Sequence, residues 1–129
     1  MLGLDVGERR IGVALASGGV KIAVEKGFLL VDGTEIEAIR KIILEEGVGV
    51  VVVGRPRNQS GEATAQTVFV EEFAEKIRGM VARVEFQDES LTSVLAEKLL
   101  KEEGKSYEKG DVDARAAALI LQDYLEETR

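Results

Sequence analysis

The segment from residue 48 to residue 53 constrains the fold more than any other part of the sequence. It reads Val-Gly-Val-Val-Val-Val and lacks the polar alternation of a half-exposed strand. Such a run is typical of a strand that is buried on both faces of a parallel sheet. Parallel neighbours are joined by crossover connections, which are usually helices. The segment therefore predicts an α/β fold.

The rest of the chain extends this prediction to a complete element order. Three short apolar segments joined by turns precede the valine run and predict an antiparallel meander. Helical periodicity alternates with one further strand after it. The predicted strands are Leu2–Val6, Ile11–Ala16, one within Val20–Val31 and centred on Phe28–Val31, Val48–Val53 and Val81–Phe86. The predicted helices are Thr34 to Gly47, Thr64–Met80 with Val68, Phe69, Phe73 and Ile77 inward, Leu91–Glu103 and Val112–Glu127.

This order, βββαβαβαα, predicts one α/β domain over residues 1–129. Its five-stranded mixed sheet would combine a three-strand antiparallel meander with two parallel strands, and helices would cover both faces. No apolar run is long enough to span a bilayer, and charged residues near the N-terminus replace the apolar stretch of a secretion signal. We therefore expect a cytoplasmic protein that does not bind membranes.

The composition removes several kinds of chemistry. The chain has no His and no Cys, which excludes Ser-His-Asp triads, Cys-His pairs and zinc sites built on these residues. It has 17 basic and 24 acidic residues, a net charge of −7, which argues against binding nucleic acid through a broad basic surface. Neither a P-loop nor a Rossmann glycine motif is present. Clustered carboxylates that hold a hard metal become a leading option for hydrolysis.

Asp5 is the first unusual carboxylate. Alternate residues of a strand share a face, so Asp5 lies with Gly3 and Gly7, opposite the apolar residues of the same strand. Glycines allow another group to approach the backbone closely. Asp5 is thus either a turn residue at a strand end or a functional group in an open space.

Three more acids follow later in the chain. Asp88 and Glu89 come after the fifth strand, and Asp113 lies in the predicted first turn of the last helix. Each alone is explained by the preference for acids at helix starts. Together with Asp5 they fall near the carboxyl ends of strands, where α/β sheets form sites. Such a cluster favours Mg²⁺ or Mn²⁺, and two ions would serve phosphodiester hydrolysis.

Four segments resemble the YqgF/RuvX family, whose members are described as pre-16S ribosomal RNA nucleases or Holliday-junction resolvase-like proteins with an RNase H-like fold. They occur in the family's order and span nearly the whole chain. The matching segments are Leu4-Asp5-Val6-Gly7 with Arg10-Ile11-Gly12-Val13-Ala14, Val52-Val53-Gly54-Arg55-Pro56-Arg57-Asn58, Asp88-Glu89-Ser90-Leu91-Thr92-Ser93, and Asp113-Ala114-Arg115-Ala116-Ala117 with Ile120-Leu121-Gln122. Ser90 departs from the family, which usually has Arg there.

The resemblance implies a role for each matching carboxylate. Asp5, Glu89 and Asp113 would be the catalytic metal ligands, with Asp88 as a neighbouring candidate. The implied activity is metal-dependent endonucleolytic cleavage of structured nucleic acid, in particular processing of the 5′ end of pre-16S rRNA. The alternative is resolution of branched DNA at Holliday junctions. The protein would then work as a monomer or, on a two-fold symmetric junction, as a homodimer.

The loop after the valine run is the predicted substrate contact. Arg55, Arg57 and Asn58 can bind phosphate and would lie beside the carboxylates. Arg9 and Arg10, in the first hairpin turn, receive no assigned role.

Two other function classes stay open. Leu4-Asp5-Val6-Gly7 before a hairpin also resembles the first phosphate loop of the actin, Hsp70 and sugar-kinase proteins. Those proteins close two such domains around ATP. A non-catalytic adaptor that binds nucleic acid or the ribosome would keep the fold and lose the metal-dependent activity.

Overall fold

A computed structural model of the chain describes residues 1–56, 60–89 and 92–127. Its five strands are β1 (Leu2–Val6), β2 (Arg10–Leu15), β3 (Val24–Leu30), β4 (Val50–Arg55) and β5 (Arg83–Asp88). Its helices are α1 (Glu35–Glu46), α2 (Ala65–Ile77), a 3-10 turn at Arg78–Met80, α3 (Thr92–Glu102) and α4 (Lys109–Glu127). The element order predicted from the sequence is confirmed.

The strands form one mixed sheet in the order β3-β2-β1-β4-β5. The first three strands are antiparallel, and β4 pairs in parallel with both β1 and β5. The predicted meander with two parallel strands is therefore correct. In this arrangement the carboxyl ends of β1, β4 and β5 meet at one edge of the sheet, where Asp5 and Glu89 lie.

One face of the sheet is covered by α1 and α2 and contains the larger apolar core. Alternate residues of β1 and β4 point into it, together with helix residues such as Ile39 and Phe73. Leu4 and Val53 are completely buried there. This face contributes most of the buried apolar surface and therefore most of the hydrophobic stabilisation.

The opposite face is covered by α4, and α3 packs against α4. Small residues line this contact on both sides. A Cβ at Gly3 would lie 2.7 Å from the Leu121 Cβ, and Ala117 is completely buried against the sheet. Because β1 and α4 both present small residues, the helix backbone lies close to the strands. Asp5 points toward this face, as the alternation predicts.

Several predicted boundaries are wrong by a few residues. The third strand begins at Val24 rather than near Phe28, and β4 and β5 each begin two residues later than predicted. In α2, Phe73 and Ile77 are buried and Phe69 packs against the core, as predicted, but Val68 is 50% exposed, and Val70 and Ala74 are buried in addition. Thr34 does precede α1, but its hydroxyl donates to Asp32 and makes no cap bond to the helix.

One further correction concerns the start of α4 and bears on the candidate site. The helix begins at Lys109 instead of Val112, so Asp113 lies in its second turn and not in its first. Gly110 is buried against the ring of Phe28, which leaves no space for a side chain. Among the described helices, none is both long and apolar enough to span a membrane.

Candidate active site

Asp5 is the central residue of the candidate site. It lies one residue before the end of β1 and pairs with Gly12 across the antiparallel ladder. The neighbouring strand on the other side is β4, whose residue Gly54 follows the valine run. Asp5 therefore stands between two strands that carry no side chain at the adjoining positions.

The two glycines admit the other acidic residues. A Cβ at Gly54 would lie 2.5 Å from the Glu89 Oε2, and a Cβ at Gly12 would overlap the Asp113 carbonyl oxygen. Gly54 thus leaves room for the Glu89 carboxyl, and Gly12 allows the backbone of α4 to rest on β2. Because a larger residue at either position would fill this space, the glycines determine how close the acids come to Asp5.

Asp5 and Glu89 form a hydrogen-bonded pair of carboxyls. Burial raises the pKa of Asp5 to about 6; the hydrogen bond from Glu89 opposes this rise and the negative charge of Asp113 adds to it. Burial, the charge of Asp5 and the hydrogen bond to Asp5 together raise the pKa of Glu89 to about 9. Glu89 is therefore the protonated carboxyl near neutral pH, and its O–H donates the hydrogen bond to the Asp5 carboxylate.

Asp113 is held by a basic residue. The Arg10 Nε donates to the Asp113 Oδ2 at 2.6 Å, and the two side chains are 27% and 22% exposed. Asp113 still lies near enough to raise the pKa of Asp5 through its charge. The three predicted carboxylates thus gather at one place, but they divide into an Asp5–Glu89 pair and an Arg10–Asp113 pair.

The donor set of the first pair fits a hard divalent cation. Two carboxyl groups that share one proton supply oxygen ligands and an unfavourable arrangement of charge that a cation would relieve. Within residues 1–56, 60–89 and 92–127, however, no three acidic side chains are grouped in a way that could hold a metal ion. Asp113 is the residue that would have to move, because its carboxylate contacts Arg10.

Arg55 and Asp88 lie on the other face of the sheet. The Arg55 guanidinium lies 5.0 Å from the centre of the Phe86 ring, and its Nη1 is 3.6 Å from the Glu71 Oε2 of α2. Asp88 is the register partner of Arg55 and follows Phe86 by two residues, so strand alternation places it on the same side. The structure therefore does not bring either side chain to the Asp5–Glu89 pair.

The remaining predicted residues, Arg57 and Asn58, lie outside the described part of the chain, as does Ser90, the position that departs from the family. Arg10, in contrast, was assigned no role from the sequence, although the structure places it at the site. The signal was available: Arg10 and Gly12 alternate along β2, and Gly12 belongs to the same segment as Asp5 in the family motif. The period of two would have placed Arg10 on the face of Asp5.

Comparison with known proteins identifies the relatives of the chain. A family model described as "RuvX: Holliday junction resolvase" matches residues 1–127. A protein of Chloroflexus aurantiacus, named "Putative pre-16S rRNA nuclease", is 40% identical over 134 residues, covering 100% of this chain and 88% of the relative. A protein of Thermus thermophilus with the same name is 38% identical over 126 residues, and the match covers 95% of this chain and 93% of the relative.

Solved structures with a similar fold include RuvC from Thermus thermophilus. One RuvC structure superposes with a TM-score of 0.52 at 12% identity and covers 98% of this chain and 93% of RuvC. A second, in complex with a Holliday junction substrate, gives a TM-score of 0.54 at 13% identity and covers 98% and 92%. At this identity the likeness concerns the fold, which is RNase H-like.

Proposed function

The chain belongs to the RuvX family, and from that premise we propose that it is a metal-dependent endonuclease that processes the 5′ end of pre-16S rRNA in the cytoplasm. The names of the relatives from Chloroflexus and Thermus support the choice of substrate. The observation that carries the chemistry is the Asp5–Glu89 pair, two carboxyls with raised pKa values at the carboxyl edge of parallel strands. Perturbed acids in such a position favour a catalytic role.

We assign the metal ligands to Asp5, Glu89 and Asp113. Bound Mg²⁺ or Mn²⁺, as one ion or two, would supply the positive charge that polarises a phosphodiester and activates water for attack. Asp5 would contribute a carboxylate held in place by β1, and Glu89 would contribute a second after losing its proton. Asp113 would complete the set from the second turn of α4.

The chain's negative charge makes this cation important for substrate binding as well. A net charge of −7 repels the nucleic-acid backbone, and a divalent cation at the carboxylates would offset the repulsion locally. We retain Arg55, Arg57 and Asn58 as the proposed phosphate contacts. Arg55 would first have to leave Glu71 and the Phe86 ring, because its guanidinium now faces α2.

Resolution of branched DNA is the second candidate function. It is favoured by the description of the family model and by the structural likeness to RuvC, which was solved with a Holliday junction. A junction with two-fold symmetry presents two cleavage points, so this function would require two copies of the site.

Cleavage assays on both substrates test the proposal. Labelled precursor 16S rRNA and a labelled four-way DNA junction are each incubated with Mn²⁺, Mg²⁺ or chelator, using the wild type, Asp5→Asn and Asp123→Asn. Asp123 is the matched control because it lies ten residues beyond Asp113 on α4, about 15 Å along the helix. We expect metal-dependent cleavage of the RNA that disappears in Asp5→Asn alone.

Other outcomes have distinct meanings. Cleavage of the junction and not of the RNA would support junction resolution and refute processing of pre-16S rRNA. Equal cleavage by Asp5→Asn and the wild type would refute catalysis at the carboxylates, as would full activity in the chelator.

A further inference from the structure

Arg10 occupies a position from which it controls the third carboxylate. It begins β2, two residues before Gly12, and strand alternation places both on the face that α4 covers. Gly12 is the partner of Asp5 in the sheet, and the backbone of Asp113 rests directly on Gly12. Asp113 therefore stands next to Arg10 along β2 and next to Asp5 across the sheet.

The Asp113 carboxylate is paired with Arg10 in the structure and lies on the face of the sheet that carries the acid pair. In the structure it accepts from the Arg10 guanidinium at 2.6 Å. The backbone of Asp113 lies on Gly12, the register partner of Asp5, so Asp113 is on the same side of the sheet as the acid pair. The backbone of residue 113 is fixed by its contact with Gly12, which leaves rotation of the side chain as the movement that would take the carboxylate from Arg10 toward the acid pair.

The metal ion of the proposed function and the Arg10 guanidinium are both cations that would bind the same Asp113 carboxylate. We propose that Arg10 is a positioning residue whose guanidinium is the internal counter-ion of Asp113 in the metal-free protein. A divalent cation must then displace the guanidinium from Asp113 to complete the three-carboxylate site. This inference rests on the metal-dependent function proposed above. It predicts that removal of Arg10 strengthens metal binding, because the competing cation is lost.

Calorimetric titration of the purified protein with Mn²⁺ tests the inference without any nuclease assay. The variants are Arg10→Gln and Arg9→Gln, which remove the same charge from neighbouring residues; the Arg9 side chain is exposed. We expect Arg10→Gln to bind Mn²⁺ about fivefold more tightly than Arg9→Gln, the effect of losing an ion pair worth about 1 kcal/mol. Arg10→Lys keeps the competing charge and should bind as the wild type does.

A double variant separates competition from a general change in charge. If Arg10 acts through Asp113, the gain from Arg10→Gln disappears in the Asp113→Asn background. Circular dichroism of each variant confirms that it is folded before titration.

The possible failures can be told apart. Equal affinities of Arg10→Gln and Arg9→Gln, with binding that Asp5→Asn abolishes, would overturn the role of Arg10 and leave the proposed function intact. Weaker binding by Arg10→Gln would also overturn it, since it would mean that Arg10 orients Asp113 toward the cation. Absence of any Mn²⁺ binding that depends on Asp5 would overturn the proposed function and this inference together.

Discussion

The two faces of the sheet are built from the same strands and differ in almost every property. The face under α1 and α2 carries Leu4, Val53 and their neighbours, which are large, branched and fully buried. The face under α4 carries glycines, alanines and the acid pair beside a smaller apolar core that includes Val52 and Leu121. Strand alternation assigns adjacent residues to the two faces, so Leu4 and Asp5 serve different purposes at consecutive positions.

The difference between the faces shows how a small chain can fold although its acidic site lowers the free energy of unfolding. Acidic groups brought together in a partly closed space oppose folding, because burial disfavours their charged forms. The larger core under α1 and α2 adds to the smaller one under α4 and offsets this cost. A core substitution under α1 and α2 should therefore change stability without changing cation binding, whereas contacts and charges under α4 affect both. The expected effects on stability are taken from the largest to the smallest.

The largest effect is expected where α4 touches the sheet. Gly12→Ala would place a methyl group on the Asp113 carbonyl oxygen, a backbone atom that cannot move without the helix. We expect the free energy of unfolding to fall by about 4 kcal/mol, at the upper end for a single substitution. Urea denaturation measures it. Gly49→Ala is the control, because a Cβ there meets nothing within 4 Å; equal stability of the two variants would refute the close contact.

A substitution on the apolar face should lower stability and leave the site intact. Leu4→Ala removes a completely buried side chain and is expected to cost about 3 kcal/mol. The folded fraction should bind Mn²⁺ with the affinity of the wild type, measured by calorimetry at a temperature where the variant is folded. A large loss of affinity would mean that the two faces are not independent.

The acid pair should make the stability of the metal-free protein depend on pH. The pKa values of Asp5 and Glu89 are about 6 and about 9 in the folded protein and about 4 in an unfolded chain. Between these pH values the folded state therefore binds more protons than the unfolded state does. The free energy of unfolding consequently falls as the pH rises from about 4 to about 9.

We expect a loss of about 2.5 kcal/mol from pH 5 to pH 8, half of the linkage limit of about 5 kcal/mol, because solvent partly screens the pair. Urea denaturation in chelator at both pH values measures the loss. Glu89→Gln keeps a hydrogen-bond donor to Asp5 and removes the titrating carboxyl. The loss of stability between pH 5 and pH 8 should therefore be clearly smaller in this variant than in the wild type. An unchanged slope in this variant would assign the effect to other groups.

The smallest effect on stability is expected at Asp5 itself. Asp5→Asn removes a negative charge from beside Glu89 and Asp113, and should raise the free energy of unfolding of the metal-free protein by about 1 kcal/mol. Denaturation at pH 8 in chelator measures this change, and the same variant should lose Mn²⁺ binding. A marked loss of stability would instead identify Asp5 as a structural hydrogen-bonding residue.

The sequence was sufficient for the element order because most strands have a clear apolar pattern and most of the connections contain a glycine. It also predicted the meeting of Asp5 and Glu89, since the carboxyl ends of parallel strands share an edge. The orientation of Arg55 was predictable too: it alternates with Val51 and Val53, which face α2, and the same period places it away from the acids.

Other features depend on tertiary contacts that local patterns do not contain. The start of α4 at Lys109 includes Gly110, a poor helix former that is buried against Phe28. The pairing of Arg10 with Asp113 joins side chains that are 103 positions apart and depends on how closely α4 lies on β2. No periodicity in either segment encodes that separation.

Helix α4 also limits where this chain tolerates insertions and deletions. Each residue of a helix turns the following ones by about 100°, so one residue added between Asp113 and Leu121 would misalign the two contacts by that angle. Either the acid would leave the site or Leu121 would leave its place against Gly3. Changes in length near these contacts should therefore be tolerated better in the turn that precedes Lys109 than within α4, and the spacing of eight residues between Asp113 and Leu121 is fixed by the geometry of the helix.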